Sequence, residues 1–372
     1  MFRVSALALL LTAPALAAGP LLDPATGKED ESGKLLWYDV QALGLEGQGW
    51  TTVKAPFDRL PAKAEKTVRP PVWSLSRQSA GLCVRFLTDA FSIQVRWTVT
   101  GENLAMPHMP ATGVSGLDLY ARDDKGKWSW VANGRPTGKA TTAVLAGSLP
   151  SGEREYLLYL PLYNGVSSME LGLPKNAKLK KADERPEGHR KPIVFYGTSI
   201  TQGGCASRPG MVHTAILGRR FDVPVINLGF SGNGTLDPEM GELLAEIDAA
   251  VYVLDCLPNL APSQTAERTE PFVKALRKVR PKTPIVLVED RNYANARWNA
   301  GLKERNAGNH PAYKQSYDSL VAAGVDGLHY LPGDKLIGDD GEGTVDGSHP
   351  TDLGFLRQAD AMAGTLGPLL KK

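Results

Sequence analysis

Cysteine is scarce in this chain of 372 residues: Cys83, Cys205 and Cys256 are the whole complement. They are too few and too scattered for a disulfide scaffold, and none stands in CxxC or His/Cys metal-ligand spacing. Each reads as a small buried apolar residue, with an approach of Cys205 to Cys256 as the alternative. Neither sign of charge is in excess either, since Lys+Arg 42 against Asp+Glu 40 gives +2. That balance offers no electrostatic case for nucleic acid or a strongly anionic surface, and small neutral or mildly polar substrates fit better. Long apolar runs are also missing. The N-terminal run Val4 to Leu11 is well below the ~20 residues a spanning helix needs, so no membrane span is expected in the mature chain. With Arg3 ahead of it and Ala15 and Ala17 in small-residue cleavage positions, it reads as a signal peptide over residues 1–18, implying export to the periplasm or beyond. No internal repeat or low-complexity segment is evident, and nothing in the sequence specifies an oligomeric state.

A chain of this length exceeds the usual size of one hydrophobic core, so two domains are expected. Residues 19 to about 71 are rich in Gly and Pro and hold few periodic runs. Period two then takes over. Phe91, Ile93, Val95, Trp97 and Val99 alternate with polar residues, Cys83 to Thr88 reads as a neighbouring strand, and Leu117–Tyr120 runs through the turn cluster Asp123–Gly126 to Trp128 and Trp130 as a hairpin. Tyr156–Leu160 and Met169–Leu173 add two short strands. Strands separated by turn clusters, with no evident helix, predict an antiparallel β-sandwich. The charge run within Lys175–Lys191 reads as a linker, which puts the sandwich at residues 19–185 and a second domain at 186–372.

Beyond the linker, strands and helices alternate. Strands are expected at Ile193–Tyr196, Val223–Asn227, Val251–Leu254, Ile285–Val288 and Val325–Tyr330. Helices are expected at Val212–Phe221, Met240–Ile247, Pro271–Val279, Tyr313–Ala322 and near Thr351–Leu366. The pattern is that of a three-layer, flavodoxin-like α/β fold with a parallel sheet, in which ligands bind beyond the carboxyl ends of the strands.

The chemistry converges on that edge. Ile193–Tyr196 stops at Gly197, and Ser199 follows in a glycine-flanked turn, the way an α/β enzyme presents a nucleophile; a plain polar turn is the alternative. Asp346 and His349 stand three residues apart before the last helix, a spacing that lets the carboxylate bond one imidazole nitrogen while the other faces a serine. Alternatively, His349 caps that helix and Asp346 holds a turn. Loops after the second and third strands carry Gly232 and Asn259, which can aim a backbone N–H and an amide at a developing oxyanion beside the Ser199 N–H.

Together, Gly197-Thr198-Ser199-Ile200, Ser231-Gly232-Asn233, Pro258-Asn259 and Asp346-x-x-His349 resemble the four blocks of the SGNH (GDSL-like) hydrolases, with Thr198 and Ile200 in place of the usual aspartate and leucine. Gly116-Leu117-Asp118-Leu119-Tyr120 resembles the GxDLY motif of the β-sandwich preceding a bacterial SGNH subgroup. The resemblance implies a carboxylic ester hydrolase with Ser199, His349 and Asp346 as nucleophile, base and orienting acid, and with Ser199, Gly232 and Asn259 as oxyanion donors. It implies no metal or organic cofactor. The partner is then a small-molecule or glycan ester, and O-deacetylation of carbohydrate is the expected reaction. A lipase- or thioesterase-type acyl hydrolase and a glycan-binding protein with a vestigial hydrolase half are the alternatives. Arg291, at the end of the fourth strand, is a candidate for the pocket rim, pairing with an acid being equally open. Asp118 and Tyr120 most simply stabilise the sandwich, with a reach into the cleft as the alternative. His213 reads as structural, and Met106–Pro110 reads as a loop without catalytic work, or else a lip over the site.

Overall fold

A computed structural model describes residues 19–371; the signal-peptide reading falls on residues 1–18, outside them. Two antiparallel sheets face each other in the N-terminal half. One runs in the order Lys28–Glu29, Leu35–Asp39, Val166–Pro174, Ile93–Val99, Ala140–Ala146. The other runs Leu179–Lys181, Cys83–Thr88, Arg154–Tyr159, Leu117–Arg122, Trp128–Gly134, with Leu45–Glu46 paired to Cys83 and Val84. The alternation predicted for the long strand holds from Ile93 to Val99: Ile93, Val95, Trp97 and Val99 are all buried in the shared core. Phe91 does not join them. It precedes the strand and is 63% exposed, because period two cannot show where a strand begins.

The C-terminal half carries five parallel strands, Ile193–Gly197, Val225–Gly229, Val251–Asp255, Ile285–Val288 and Leu328–Leu331, in the spatial order second, first, third, fourth, fifth. Helices cover both faces, giving the predicted three-layer flavodoxin-like architecture behind the sandwich. The crossover from one side of the first strand to the other opens the crevice in which Ser199 sits.

Two helices begin earlier than predicted, and for one reason. Pro262–Val279 and Ala300–Ala322 contain Pro271 and Pro311 within their length. A proline in a helical pattern reads as a boundary, yet each helix runs through it because packing outweighs the lost hydrogen bond. The Gly- and Pro-rich stretch before residue 76 also holds a hidden pattern. Leu60, Ala64, Val68 and Val72, spaced by four, are buried against Tyr196, Leu228 and Met240 of the α/β half, and Pro70–Ser76 is a short helix. The charged stretch is not wholly a solvated linker: Leu179–Lys181 pairs with Phe86–Thr88, and Arg185 binds Glu46 at 2.7 Å. None of the helices among the described residues is long and apolar enough to cross a membrane.

Candidate active site

Gly197 ends the first strand with no room for a side chain: a Cβ there would lie 2.1 Å from Thr201 Oγ1. The chain turns directly into the one-turn helix Ser199–Gln202, where Thr198 Oγ1 accepts from the Ile200 N–H at 3.2 Å. Thr198 therefore serves as the helix cap, a role its hydroxyl fills without a carboxylate. Ser199 Oγ lies 2.8 Å from His349 Nε2, and His349 Nδ1 lies 2.8 Å from Asp346 Oδ2. Asp346 Oδ1 also accepts the N–H groups of His349 (2.7 Å) and Ser348 (3.0 Å). Partial burial alone would push the Asp346 carboxyl up, but the His349 and Ser348 hydrogen bonds together outweigh it and hold the group below the usual carboxylate range. An anionic Asp346 keeps the Nδ1 proton of His349 in place and leaves Nε2 free to face Ser199.

Ser199 opens its helix, so its N–H has no partner within it. Gly232 adopts φ +69°, and a Cβ there would meet nothing within 4 Å. The Asn259 amide is oriented by its oxygen, which accepts from Asn233 N–H at 3.0 Å and Gly234 N–H at 3.1 Å, leaving its NH2 as the donor end. The loop itself is pinned to the nucleophile: Ser231 N–H donates to Gln202 Oε1 at 3.0 Å, and Phe230 and Gly197 are joined through a backbone bond of 3.0 Å.

Other sequence candidates lie away from the reacting edge. Arg291 is 3% exposed; its Nε donates to Ser348 O at 3.0 Å, and its remaining donors bind Ser348 Oγ and Asp290. It props the loop that carries His349 and does not form a pocket rim. Asp118 is fully buried, accepting from Trp130 Nε1 (2.9 Å), Arg208 (2.7 Å) and Gly210 N–H (2.8 Å), while Tyr120 Oη accepts from Arg208 at 2.5 Å. These two residues clamp the segment after the Ser199 helix onto the sandwich and do not enter a cleft. His213 is buried between Phe355 and Phe195, and burial lowers it to about 3, so the ring stays neutral. All three cysteines are buried and unpaired.

The segment read as a loop without catalytic work, or else a lip over the site, lies beside the relay. Met106–Met109 forms a tight turn closed by reciprocal backbone bonds of 2.9 and 3.1 Å, and its tip carries His108 with its ring centroid 6.1 Å from that of His349. Several supporting residues were not found from sequence. Tyr163 Oη donates to Ser199 O at 3.0 Å, and Arg59, from the N-terminal half, donates to Asn227 O (3.1 Å) and Gly229 O (2.7 Å) at the end of the second strand. Nothing in their local sequence marks these roles, since the partners lie far along the chain.

A 2-1-3-4-5 parallel sheet with this serine, histidine and carboxylate in series at its carboxyl edge defines an esterase-type hydrolase of the α/β class. The chain belongs to the GDSL-like lipase/acylhydrolase family, whose model matches residues 190–367, and residues 35–179 match the N-terminus of SGNH-hydrolase-type esterases. A protein of Bacteroides ovatus described as a GDSL-like lipase is 37% identical over 91% of this chain and 98% of its own, with a TM-score of 0.85. The fold is shared at lower identity with the salicylyl-acyltransferase SsfX3 of a tetracycline biosynthetic pathway (20% identical, 96% of each chain, TM-score 0.66). It is also shared with a family two carbohydrate esterase from Cellvibrio japonicus (13%, 78% of this chain and 90% of that one, TM-score 0.55). No curated protein matches the sequence.

Proposed function

We propose that this chain is an exported serine esterase that removes acyl groups, acetyl in particular, from carbohydrate. The observation that carries the reading is the continuous relay from Ser199 Oγ to His349 Nε2 and from His349 Nδ1 to Asp346, both at 2.8 Å. Ser199 Oγ attacks the ester carbonyl carbon as its proton passes to His349 Nε2. The carbonyl oxygen becomes an oxyanion and accepts from the Ser199 and Gly232 N–H groups and the Asn259 amide. Collapse breaks the ester C–O bond, and His349 returns its proton to the departing sugar hydroxyl. Water, deprotonated by the same imidazole, then attacks the acyl-enzyme, and collapse of the second intermediate releases the acid and restores Ser199. Export is supported by Arg3, the apolar run that follows it and the Ala15/Ala17 pair. The carbohydrate part draws support from the sandwich that precedes the hydrolase half, an arrangement whose fold is shared with the Cellvibrio japonicus carbohydrate esterase.

The test compares wild type with Ser199→Ala on p-nitrophenyl acetate and butyrate, following the acyl-enzyme by mass. Hydrolysis that disappears in the variant, with a mass increment on Ser199 in wild type, supports the mechanism. Equal turnover by both proteins overturns it. Release of acetate from no acetylated glycan, alongside efficient cleavage of longer acyl esters, rejects the carbohydrate assignment.

A further inference from the structure

We infer that the N-terminal half supplies a subsite for a neutral sugar ring next to Ser199. This rests on the esterase reading above and deepens it. A cleft of about 590 Å³ lies between the turn at Arg77 and Gln78, the segment 100–107 and the segment 163–165, all from the N-terminal half. It adjoins the nucleophile through Tyr163, which lines the cleft and donates to Ser199 O at 3.0 Å. A Cβ built on buried Gly204 would touch Tyr163 Oη at 3.0 Å, His349 at 3.1 Å and the Ser199 carbonyl at 3.2 Å, so Tyr163 packs against the relay from within. Met106 and Pro107 line the cleft, and His108, next in the chain, stands 6.1 Å from His349 between ring centroids.

The far wall is held firmly. Met109 and Val114, flanking the turn that carries His108, are 2% and 1% exposed within the core that also holds Ile200 and Ala206. Asn164 fixes the base of the other side, accepting from Gly101 N–H at 2.8 Å and donating to Gly101 O at 3.1 Å and Ser115 Oγ at 3.0 Å. A subsite on such anchored segments keeps its shape without a ligand, which lowers the cost of binding.

The lining selects the ligand. Pro107 and Tyr163 offer apolar surface, while Gln78, Asn103 and Glu102 offer amide and carboxylate groups. A pyranose or furanose ring has the matching character, apolar C–H faces ringed by hydroxyls. Charge narrows the choice. Arg77 is neutralised by its ion pair with Asp58, and Glu102 has no ion-pair partner among the described residues. The cleft therefore disfavours uronates, phosphorylated sugars and lipid phosphates. The ester's acyl group then sits at the oxyanion donors and its sugar in this cleft.

Two measurements test the subsite. The first is the ratio of kcat/KM on chemically acetylated xylotriose, cellotriose and mannotriose to kcat/KM on p-nitrophenyl acetate, for wild type, Ala105→Trp, which fills the cleft, and Glu102→Ala/Asn103→Ala, which strips it. The second is calorimetric binding of the unacetylated trioses to Ser199→Ala with and without Ala105→Trp. The expected results are a ratio about tenfold lower in both cleft variants, and triose binding that Ala105→Trp abolishes. Ratios within about twofold of wild type in folded variants, or no triose binding at ~10 mM, overturn the subsite even if p-nitrophenyl acetate is cleaved. Triose binding that Ala105→Trp abolishes, in a wild-type protein inert to every ester, leaves the sugar site standing and sinks the esterase reading instead.

Discussion

Arg69, in the N-terminal half, grips Asn233 of the oxyanion loop at two points, donating from Nη1 to its Oδ1 at 2.8 Å and from Nη2 to its carbonyl at 3.0 Å. The same guanidinium binds Thr235 Oγ1 at 2.9 Å and Asp237 Oδ2 at 2.9 and 3.0 Å. Asn233 N–H in turn donates to Asn259. A residue 164 positions away from Asn233 thus fixes the orientation of a candidate oxyanion donor.

Replacing Arg69 with Met is expected to lower kcat about tenfold while KM changes little, because the donors it aligns matter most when charge develops. Lys, which keeps the charge but not the planar fork, should restore only part of the loss. Steady-state kinetics on p-nitrophenyl acetate, with thermal melts on the same samples, check this. A loss confined to KM, or full rescue by Lys, would contradict it.

Gly232 and Gly234 stand two residues apart and should respond differently to alanine. A Cβ at Gly232 meets open space, so Gly232→Ala carries only the cost of φ +69°, about 1–2 kcal/mol, and keeps the backbone donor. A Cβ at Gly234 would lie 2.0 Å from Gly197 O, on the strand that ends at the nucleophile. Gly234→Ala must push the oxyanion loop away from Ser199, and near-complete loss of turnover is expected. Comparing the two variants by urea melts and kcat separates backbone strain from displacement.

Asp118 gives a test of the GxDLY motif as a clamp. Removing it leaves the Arg208 guanidinium, 19% exposed, without its partner. Asp118→Ala should cost about 3 kcal/mol by chemical denaturation, with KM for small esters changed little under conditions where the protein stays folded. A raised KM at unchanged stability would instead return Asp118 to substrate binding.

The legible parts of the site were local. Ser199 follows a buried strand within two residues, and Asp346 and His349 share one loop, so spacing alone brings their groups together. Gly232 and Asn259 were legible as members of the loops that follow the second and third strands. Arg59 and Arg69 were not, because each acts across more than 160 positions on carbonyls and side chains that leave no mark near the arginine. The nearness of His108 to His349 was not legible for a related reason: its turn is seated by the burial of Met109 in a core built mostly by the other half. Pro271 and Pro311 misled in the opposite direction, since a local breaker signal was overridden by packing along the whole helix.

Asp255, at the end of the third strand, accepts from Thr201 Oγ1 at 2.9 Å, and Thr201 belongs to the helix that Ser199 opens. Burial pushes its carboxyl from 3.8 up to about 7, against the opposing pull of the Thr201 hydrogen bond and Arg291. The folded protein therefore holds this proton to higher pH than the unfolded chain does. Stability from the protonated form is fully present below 3.8 and is lost as pH rises through about 7. Asp255→Asn, which cannot ionise, should match wild type near pH 4 and become more stable than it towards pH 8, by at most about 4 kcal/mol. Urea denaturation of both proteins across that range measures the difference, and a constant offset with no pH dependence would mean that Asp255 ionises at its ordinary value.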